Sequence, residues 1–294
     1  METGVDVRRV CANLERHAHQ HARHTQLALE FGQRLLEHLD GLRITPATVL
    51  IQGAGTGWLR DALTRQFPGA RLLFADATPA LLAEMPVASR LQRLLGARPP
   101  ARLACRPEAL PFANGSLDLV IQLCTLPTSD AARSFSEARR VLVKDGLLLF
   151  STLGPDTLRE WRRAWALADR QQRDPTGRQL PRLPDMHDVA DCAAQAGLAS
   201  PVVDMEYLTV HYPDLATLIT DLRVVGGGNG LTDRPRGLLT PRGRARLLQH
   251  LEAQRQPEGL PLTLELVYGH AWNTRPLVTE HGRPVIPIRA AGPR

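Results

Sequence analysis

Three glycines at alternate positions, Gly53, Gly55 and Gly57, follow the apolar run Val49-Leu50-Ile51-Gln52, with Ala54 and Thr56 between them. Glycine permits backbone conformations and close approaches that a Cβ forbids. A helix beginning just beyond such a loop adds unpaired N–H groups and a positive dipole end. Strand, glycine loop and helix together make a nucleotide-type cofactor site. Nineteen residues past Gly57, a second apolar run, Arg71-Leu72-Leu73-Phe74-Ala75, ends in Asp76. A carboxylate at that distance can accept both ribose hydroxyls of a bound nucleoside. It can equally be a local cap, because Thr78-Pro79 also reads as a helix start. A glycine loop alone is weak evidence; the loop and Asp76 together favour the cofactor site.

Other reactive side chains form no constellation. Cys11, Cys105, Cys124 and Cys192 are scattered without C-x-x-C spacing, which argues against a zinc ribbon or a disulfide frame and fits a reducing, cytoplasmic setting. His17, His19, His21 and His24 cluster near the N-terminus, and the i,i+4 pair His17/His21 has metal-ligand spacing. No cysteine or carboxylate converges on them in sequence, so they read as a solvated helical face and no metal is expected. No His/Asp or Cys/His arrangement suggests nucleophilic catalysis.

The elements that must position the loop alternate in type. Residues 5–40 read as helical, with Leu27, Phe31, Leu35 and Leu39 recurring every fourth position. The pattern then predicts strands at 48–52, 71–75, 101–105, 117–123 and 147–151, with helices at 58–67, about 78–95 and 129–143. Strands alternating with helices predict a parallel sheet covered on both faces. Residues 169–184, rich in Arg, Gln and Pro, read as a loop. A mostly helical insert at about 213–257 separates strands at 201–210 and 262–270, and would lie over the carboxyl ends of the sheet. The expected division is an N-terminal helical extension over 1–45, one domain over 46–272 and a tail over 273–294.

The 294 residues are 43% hydrophobic, enough for a sizeable core, and no run of about 18 apolar residues exists to span a membrane. The first residues lack the basic and apolar regions of a signal peptide. Net charge is +6, carried by arginine, since Lys144 is the only lysine. Such a surface attracts an acidic partner. Aromatic residues make up only 4% and do not interleave with basic clusters, so nucleic acid is not the favoured partner.

The order Gly-Ala-Gly-Thr-Gly, Asp76, Leu110-Pro111-Phe112, then Arg140-Val141-Leu142 and Asp145-Gly146, resembles the class I S-adenosylmethionine-dependent methyltransferases. Residues 149–160 with Trp165, Asp185-Met186-His187-Asp188, 201–206, Asp221-Leu222-Arg223 with Gly226 and Asn229, and Val267-Tyr268-Gly269-His270-Ala271-Trp272 narrow this. They resemble the malonyl-acyl-carrier-protein O-methyltransferases of biotin synthesis. The resemblance implies a Rossmann-like seven-stranded α/β sheet with N-terminal helices and an inserted helical lid. It implies S-adenosylmethionine as cofactor, held by Gly53, Ala54, Gly55, Gly57, Asp76, Glu108 and Ala109. It also implies methylation of the free carboxylate of a malonyl thioester on an acidic acyl carrier protein. That carboxylate is ionised at pH 7, so the transfer needs no general base. Arginine grips carboxylates bidentately, which makes Arg159, Arg162 and Arg223 candidates for holding it.

The chain departs from the family pattern at four places. Ile51 stands where an acidic residue is usual, Arg106 where an aspartate is, and Leu123 within an altered stretch after the fourth strand; no tyrosine occurs around 17–24. Each departure falls at a ligand-facing position in the family. They leave open a non-catalytic relative that keeps the fold as a binding or regulatory module, and a methyltransferase acting on RNA or another small molecule fits the charge but not the motifs over 150–272. Ile51→Asp with Arg106→Asp is expected to raise cofactor affinity in a merely weakened site.

Overall fold

Unbroken apolar runs signal strands buried on both faces, and the runs named above form the centre of the molecule. The computed structural model describes residues 4–21, 23–24, 26–39, 42, 44–86, 100–169, 180–228, 230–234 and 239–274. Strand β1 (Thr48–Gln52) pairs in parallel with β2 (Arg71–Asp76) on one side and β4 (Leu117–Leu123) on the other. β3 (Ala101–Ala104) continues outward from β2, and β5 (Leu142–Leu153) from β4, both parallel. β7 (Leu260–Trp272) follows β5 and β6 (Ala199–Tyr212) forms the edge, giving the order β3-β2-β1-β4-β5-β7-β6. Strand order reverses between β1 and β4, and at such a switch point the loops beyond the carboxyl ends diverge and leave a crevice.

The sheet is seven-stranded but not wholly parallel: β7 runs antiparallel to both β5 and β6. The insert dictates this. The chain leaves β6 at Tyr212, folds helices above that end of the sheet and re-enters at Leu260, so it must run back down between its neighbours. Periodicity carries no information on strand direction, and the expectation of a parallel sheet missed it.

Alternate side chains along the strands feed two cores. On one face Leu50, Val120 and Leu148 meet Phe135 and Ala138 of helix α5 (Ala131–Val141) and Val189 of α7 (Met186–Gln195). On the other, Val49, Leu119 and Leu149 meet Leu35 and Leu36 of α2 (Gln26–Glu37) and Leu63 of α3 (Arg60–Gln66). The first predicted helix is two: α1 (Val7–His21) precedes α2. α4 spans Pro79–Ala83 and stops there, short of the helix predicted to about 95, since 84–86 leave the helix before Val87; 87–95 of that prediction lie outside the described residues, as do 170–179 of the predicted loop, Asn229 and the tail from 275. α6 (Arg159–Asp169) packs Ala164 and Ala168 on Leu247 and Leu251 of α9 (Pro241–Glu252). α8 (Leu215–Val224) closes a smaller cluster with Tyr212, Leu260 and Leu262. α8 and α9 are the helices of the 213–257 insert.

Local capping sets where these helices begin. Asp130 accepts the N–H groups of Ala132 and Arg133 at the head of α5, and Asp185 and Asp188 form a capping box on α7. Asp214 accepts Thr217 N–H on α8, and Thr240 with Pro241 opens α9. No described helix is long and apolar enough to cross a membrane.

Phe135 has no exposed surface and its ring centroid lies 5.2 Å from that of Phe150, which helps tie α5 to the sheet. Phe135→Ala is expected to lower the unfolding free energy by about 3–5 kcal/mol, read as a shift of the urea midpoint with an unchanged slope.

Candidate active site

Each glycine of the loop sits in a left-handed backbone conformation, with φ of 68° at Gly53, 51° at Gly55 and 77° at Gly57. A methyl group on Gly53 would stand 2.2 Å from the carbonyl oxygen of Leu123, so the end of β1 lies directly against the end of β4. One on Gly57 would meet Met85 Cε at 2.5 Å. The loop thus bends tightly over the switch point, and only glycine fits there.

Asp76 fastens this loop from the neighbouring strand. Its Oδ2 accepts the N–H of Gly55 at 2.9 Å and its Oδ1 that of Thr78 at 2.8 Å. Both readings of the residue therefore have a physical basis: it ties the glycine loop and steadies the approach to α4, while Thr78 occupies the cap position itself. Burial pushes the Asp76 carboxyl above its ordinary range, against the opposing pull of the Thr78 and Gly55 donors.

A cavity of about 400 Å³ opens over this corner. Gln52, Gly53, Gly55, Asp76 and Leu123 line its floor, with Cys124 and Ser151 beside them. Its roof comes from α1, α2, α8 and residues 225–228 and 230–231. The roof is stitched together by a bridge between Val5 and Leu231, by Asp6 N–H to Gly230 O at 2.7 Å, and by Thr232 N–H to Gly4 O at 2.9 Å. His24 Nδ1 lies 2.5 Å from Asp221 Oδ1, linking the turn after α1 to α8. Burial and this same Asp221 carboxylate push the Tyr212 phenol up to about 12.

The sequence-based site residues separate here. Gly53, Gly55 and Asp76 line the cavity; Ala54 is buried behind it with its N–H on Ala75 O, and Gly57 hydrogen-bonds back to Ala54 O. Glu108 and Ala109 are not among the lining residues. Glu108 instead pairs with Arg106 at 2.8 Å and accepts Asp130 N–H at 3.0 Å, while Arg106 and Pro107 reach the cavity. Of the three arginines only Arg162 lines the cavity. Arg159 is exposed, paired with Glu160 and stacked 5.8 Å over the Tyr207 ring. Arg223 lies on the exposed side of α8, whose Asp221 and Leu222 face the cavity instead.

Arg162 Nε donates to Thr157 O at 3.2 Å, and its guanidinium has no carboxylate hydrogen-bonded to it among the described residues. Burial draws its pKa down while nearby Asp156 and Glu265 push it up. Glu265, only 4% exposed, is itself occupied by Asp156 N–H at 2.6 Å.

Two expectations need correction. The histidines are not a uniformly solvated face: His19 is exposed, but His21 and His24 line the cavity, because the inward side of α1 is set by its packing against α4 and α8. Among the described residues no group of potential ligands could hold a metal ion. Ile51 does not leave an empty acceptor position facing a ligand; it is 1% exposed and belongs to the apolar core with Leu35, Leu59 and Phe74. Strand alternation turns the next residue, Gln52, towards the other face, where Gln122 Nε2 donates to its Oε1 at 2.8 Å. Sequence reasoning also missed Cys124, a non-glycine residue with φ of 48° at the cavity wall, whose thiol burial pushes up to about 11. Its place directly after a buried strand at the switch point was the available signal.

The fold and this corner agree with known proteins. Residues 50–150 match a family profile described as a methyltransferase domain. A malonyl-[acyl-carrier protein] O-methyltransferase from Gallionella capsiferriformans is 39% identical, with 88% of each chain covered. One from Laribacter hongkongensis is 37% identical, covering 98% of this chain and 97% of its own. The YcgJ protein of Bacillus subtilis, at 18% identity and a TM-score of 0.54, shares the fold over 83% of this chain and 97% of its own.

Gly53→Ala forces a Cβ into the Leu123 carbonyl and a left-handed residue into an unfavourable well. We expect cofactor affinity to fall more than about tenfold and stability by about 1–3 kcal/mol, measured by calorimetry and thermal melting on the same sample. Ile51→Asp buries a carboxylate among aliphatic side chains, so it is expected to destabilise by about 3 kcal/mol or more rather than to restore affinity. A variant as stable as the parent in denaturant would refute that.

Proposed function

The chain belongs to the malonyl-[acyl-carrier protein] O-methyltransferases, and from that premise we propose that it methylates the free carboxylate of a malonyl thioester carried by an acyl carrier protein. S-adenosylmethionine is the cofactor, and when bound it supplies an electrophilic methyl group on a sulfonium. The tight glycine corner fits such a group, since Gly53 and Gly55 bring bare backbone to the cavity floor and Asp76 presents a carboxylate beside them. Gly57 and Ala54 keep the loop in shape, and Glu108 with the neighbouring Ala109 acts from outside the cavity by steadying Arg106.

The observation that carries the substrate reading is Arg162. It is a cavity-lining guanidinium with no carboxylate bonded to it among the described residues, and its fork suits a carboxylate. Glu265 and Asp156 lie near enough to influence it, while Glu265 Oε2 accepts the Asp156 N–H and Asp156 Oδ2 the Tyr207 hydroxyl. Arg162 therefore orients the substrate carboxylate, and no residue need remove a proton, because malonate monothioesters are ionised at neutral pH. The roof of α1, α2 and α8 excludes water, which strengthens the Arg162–carboxylate contact and frees the nucleophile from its hydration shell. Rate then comes from proximity and alignment. The surplus of arginine on the surface complements an acidic carrier protein. The four cysteines, all free, suit a reducing, cytoplasmic compartment.

The test is methyl transfer from labelled S-adenosylmethionine to malonyl carrier protein. Arg162→Gln is expected to raise KM for the carrier substrate about 10- to 100-fold, with cofactor affinity within threefold of the parent. Arg159→Gln and Arg223→Gln should each change KM less than about threefold. Turnover of the acetyl carrier protein, which has no carboxylate, or an unchanged KM in Arg162→Gln, would overturn the reading.

A further inference from the structure

His21, the last residue of α1, lines the cavity beside the glycine loop and has no part in the scheme above. A methyl group on Gly55 would stand 3.3 Å from His21 Cε1 and 3.2 Å from Trp58 Nε1, so these two rings hem in the loop from the roof side. Gly55 is also the residue whose N–H is held by Asp76. His21 and Asp76 thus bracket one residue of the loop. The Nδ1 of His21 is buried and has no hydrogen-bond partner among the described residues, a costly condition unless a ligand completes it.

The groups around it do not supply that partner. His24 is turned to Asp221, which also adjoins Tyr212. His17, one turn earlier on α1, bonds to Asn13 O. Among the described residues, Asp76 of β2, Cys11 of α1, Cys105 and Arg106 after β3, Cys124 after β4, and Arg162 of α6 complete the titratable and charged lining.

We propose that His21 is a positioning residue for the cofactor, its uncharged imidazole hydrogen-bonding the ligand beside Gly55 and admitting a cation there. The inference rests on the cofactor reading of this same cavity. It makes a prediction about charge that a packing role does not. S-adenosylmethionine carries a sulfonium, whereas S-adenosylhomocysteine has a neutral thioether at the same place. Burial, and then the neighbouring His24, hold the His21 pKa below the usual histidine range, so the ring is neutral at pH 7 and gains its proton only in more acidic solution. The favourable state is therefore fully present above the ordinary histidine pKa and is lost as pH falls through the lowered one. A protonated ring repels the sulfonium and has much less effect on the thioether.

The experiment is titration calorimetry of the full chain with each ligand between pH 8 and pH 5.5, for the parent, His21→Gln and His24→Gln. In the parent, affinity for S-adenosylmethionine relative to S-adenosylhomocysteine should fall about three- to tenfold towards pH 5.5. His21→Gln keeps a neutral hydrogen-bonding side chain and should show a flat ratio, while His24→Gln keeps the slope. His21→Leu should weaken both ligands at every pH. The ratio is taken within one sample, so a partly unfolded variant does not distort it. A flat ratio in the parent, an undiminished slope in His21→Gln, or loss of the slope in His24→Gln instead would overturn the proposal. If the parent binds neither ligand at any pH, the cofactor reading itself fails and takes this role with it.

Discussion

One carboxylate joins the three parts of the cofactor corner. Asp76 ends β2, holds the amide of Gly55 in the loop after β1 and holds the amide of Thr78 at the approach to α4. Two opposing effects act on it. Burial disfavours its charge, and two backbone donors favour it. The donors require a particular loop shape, and that shape requires glycine, since the same bend presses Gly53 onto the Leu123 carbonyl of β4. The arrangement is thus mutually dependent: without the carboxylate the loop loses an acceptor, and without the glycines the loop cannot reach the carboxylate. The parallel register of β1 with β2 and β4 brings these ends together at the switch point.

The roof is held differently. The floor rests on strands buried on both faces, whereas the links across the roof among the described residues include an isolated bridge, two backbone hydrogen bonds between residues 4–6 and 230–232, the Thr232 hydroxyl on Gly4 O, the Asp6–Arg234 pair and the His24–Asp221 pair. Those partners are about a quarter exposed on average, and a pair of that kind contributes at most about 1 kcal/mol.

Much of this was legible in sequence. β4 spans Leu117–Leu123 as its apolar run predicts, and α5 begins where Asp130 can cap it. The insert between β6 and β7 was visible as helical periodicity between two strand patterns. What remained hidden depends on contacts distant in sequence. The direction of β7 follows from where the insert re-enters the sheet. His21 and His24 turn inward because α1 packs under α8, and nothing in their own spacing records that partner. Arg159 and Arg162 lie one helical turn apart on α6, yet one stacks on Tyr207 while the other lines the cavity. Residue type identified the chemistry; only tertiary packing separated Arg162 from the rest. Ile51 shows the same limit, for a position judged by its neighbours in sequence turned out to belong to the core.

The electrostatics of the cavity explain how a site with no general base can still be demanding. A sulfonium and a carboxylate attract each other, but water screens both, and their meeting is productive only if that water leaves. Removing water from two charges is costly unless each finds a fixed partner. Arg162, tethered at Thr157 O and influenced by Asp156 and Glu265, is available to the anion. Among the described residues Asp76 and Asp221 are the carboxylates that line the cavity, and each oxygen of Asp76 already accepts one backbone N–H. Arg106 and Arg162 already bring fixed positive charge to the cavity, and an unprotonated His21 ring adds no further like charge beside the glycine loop.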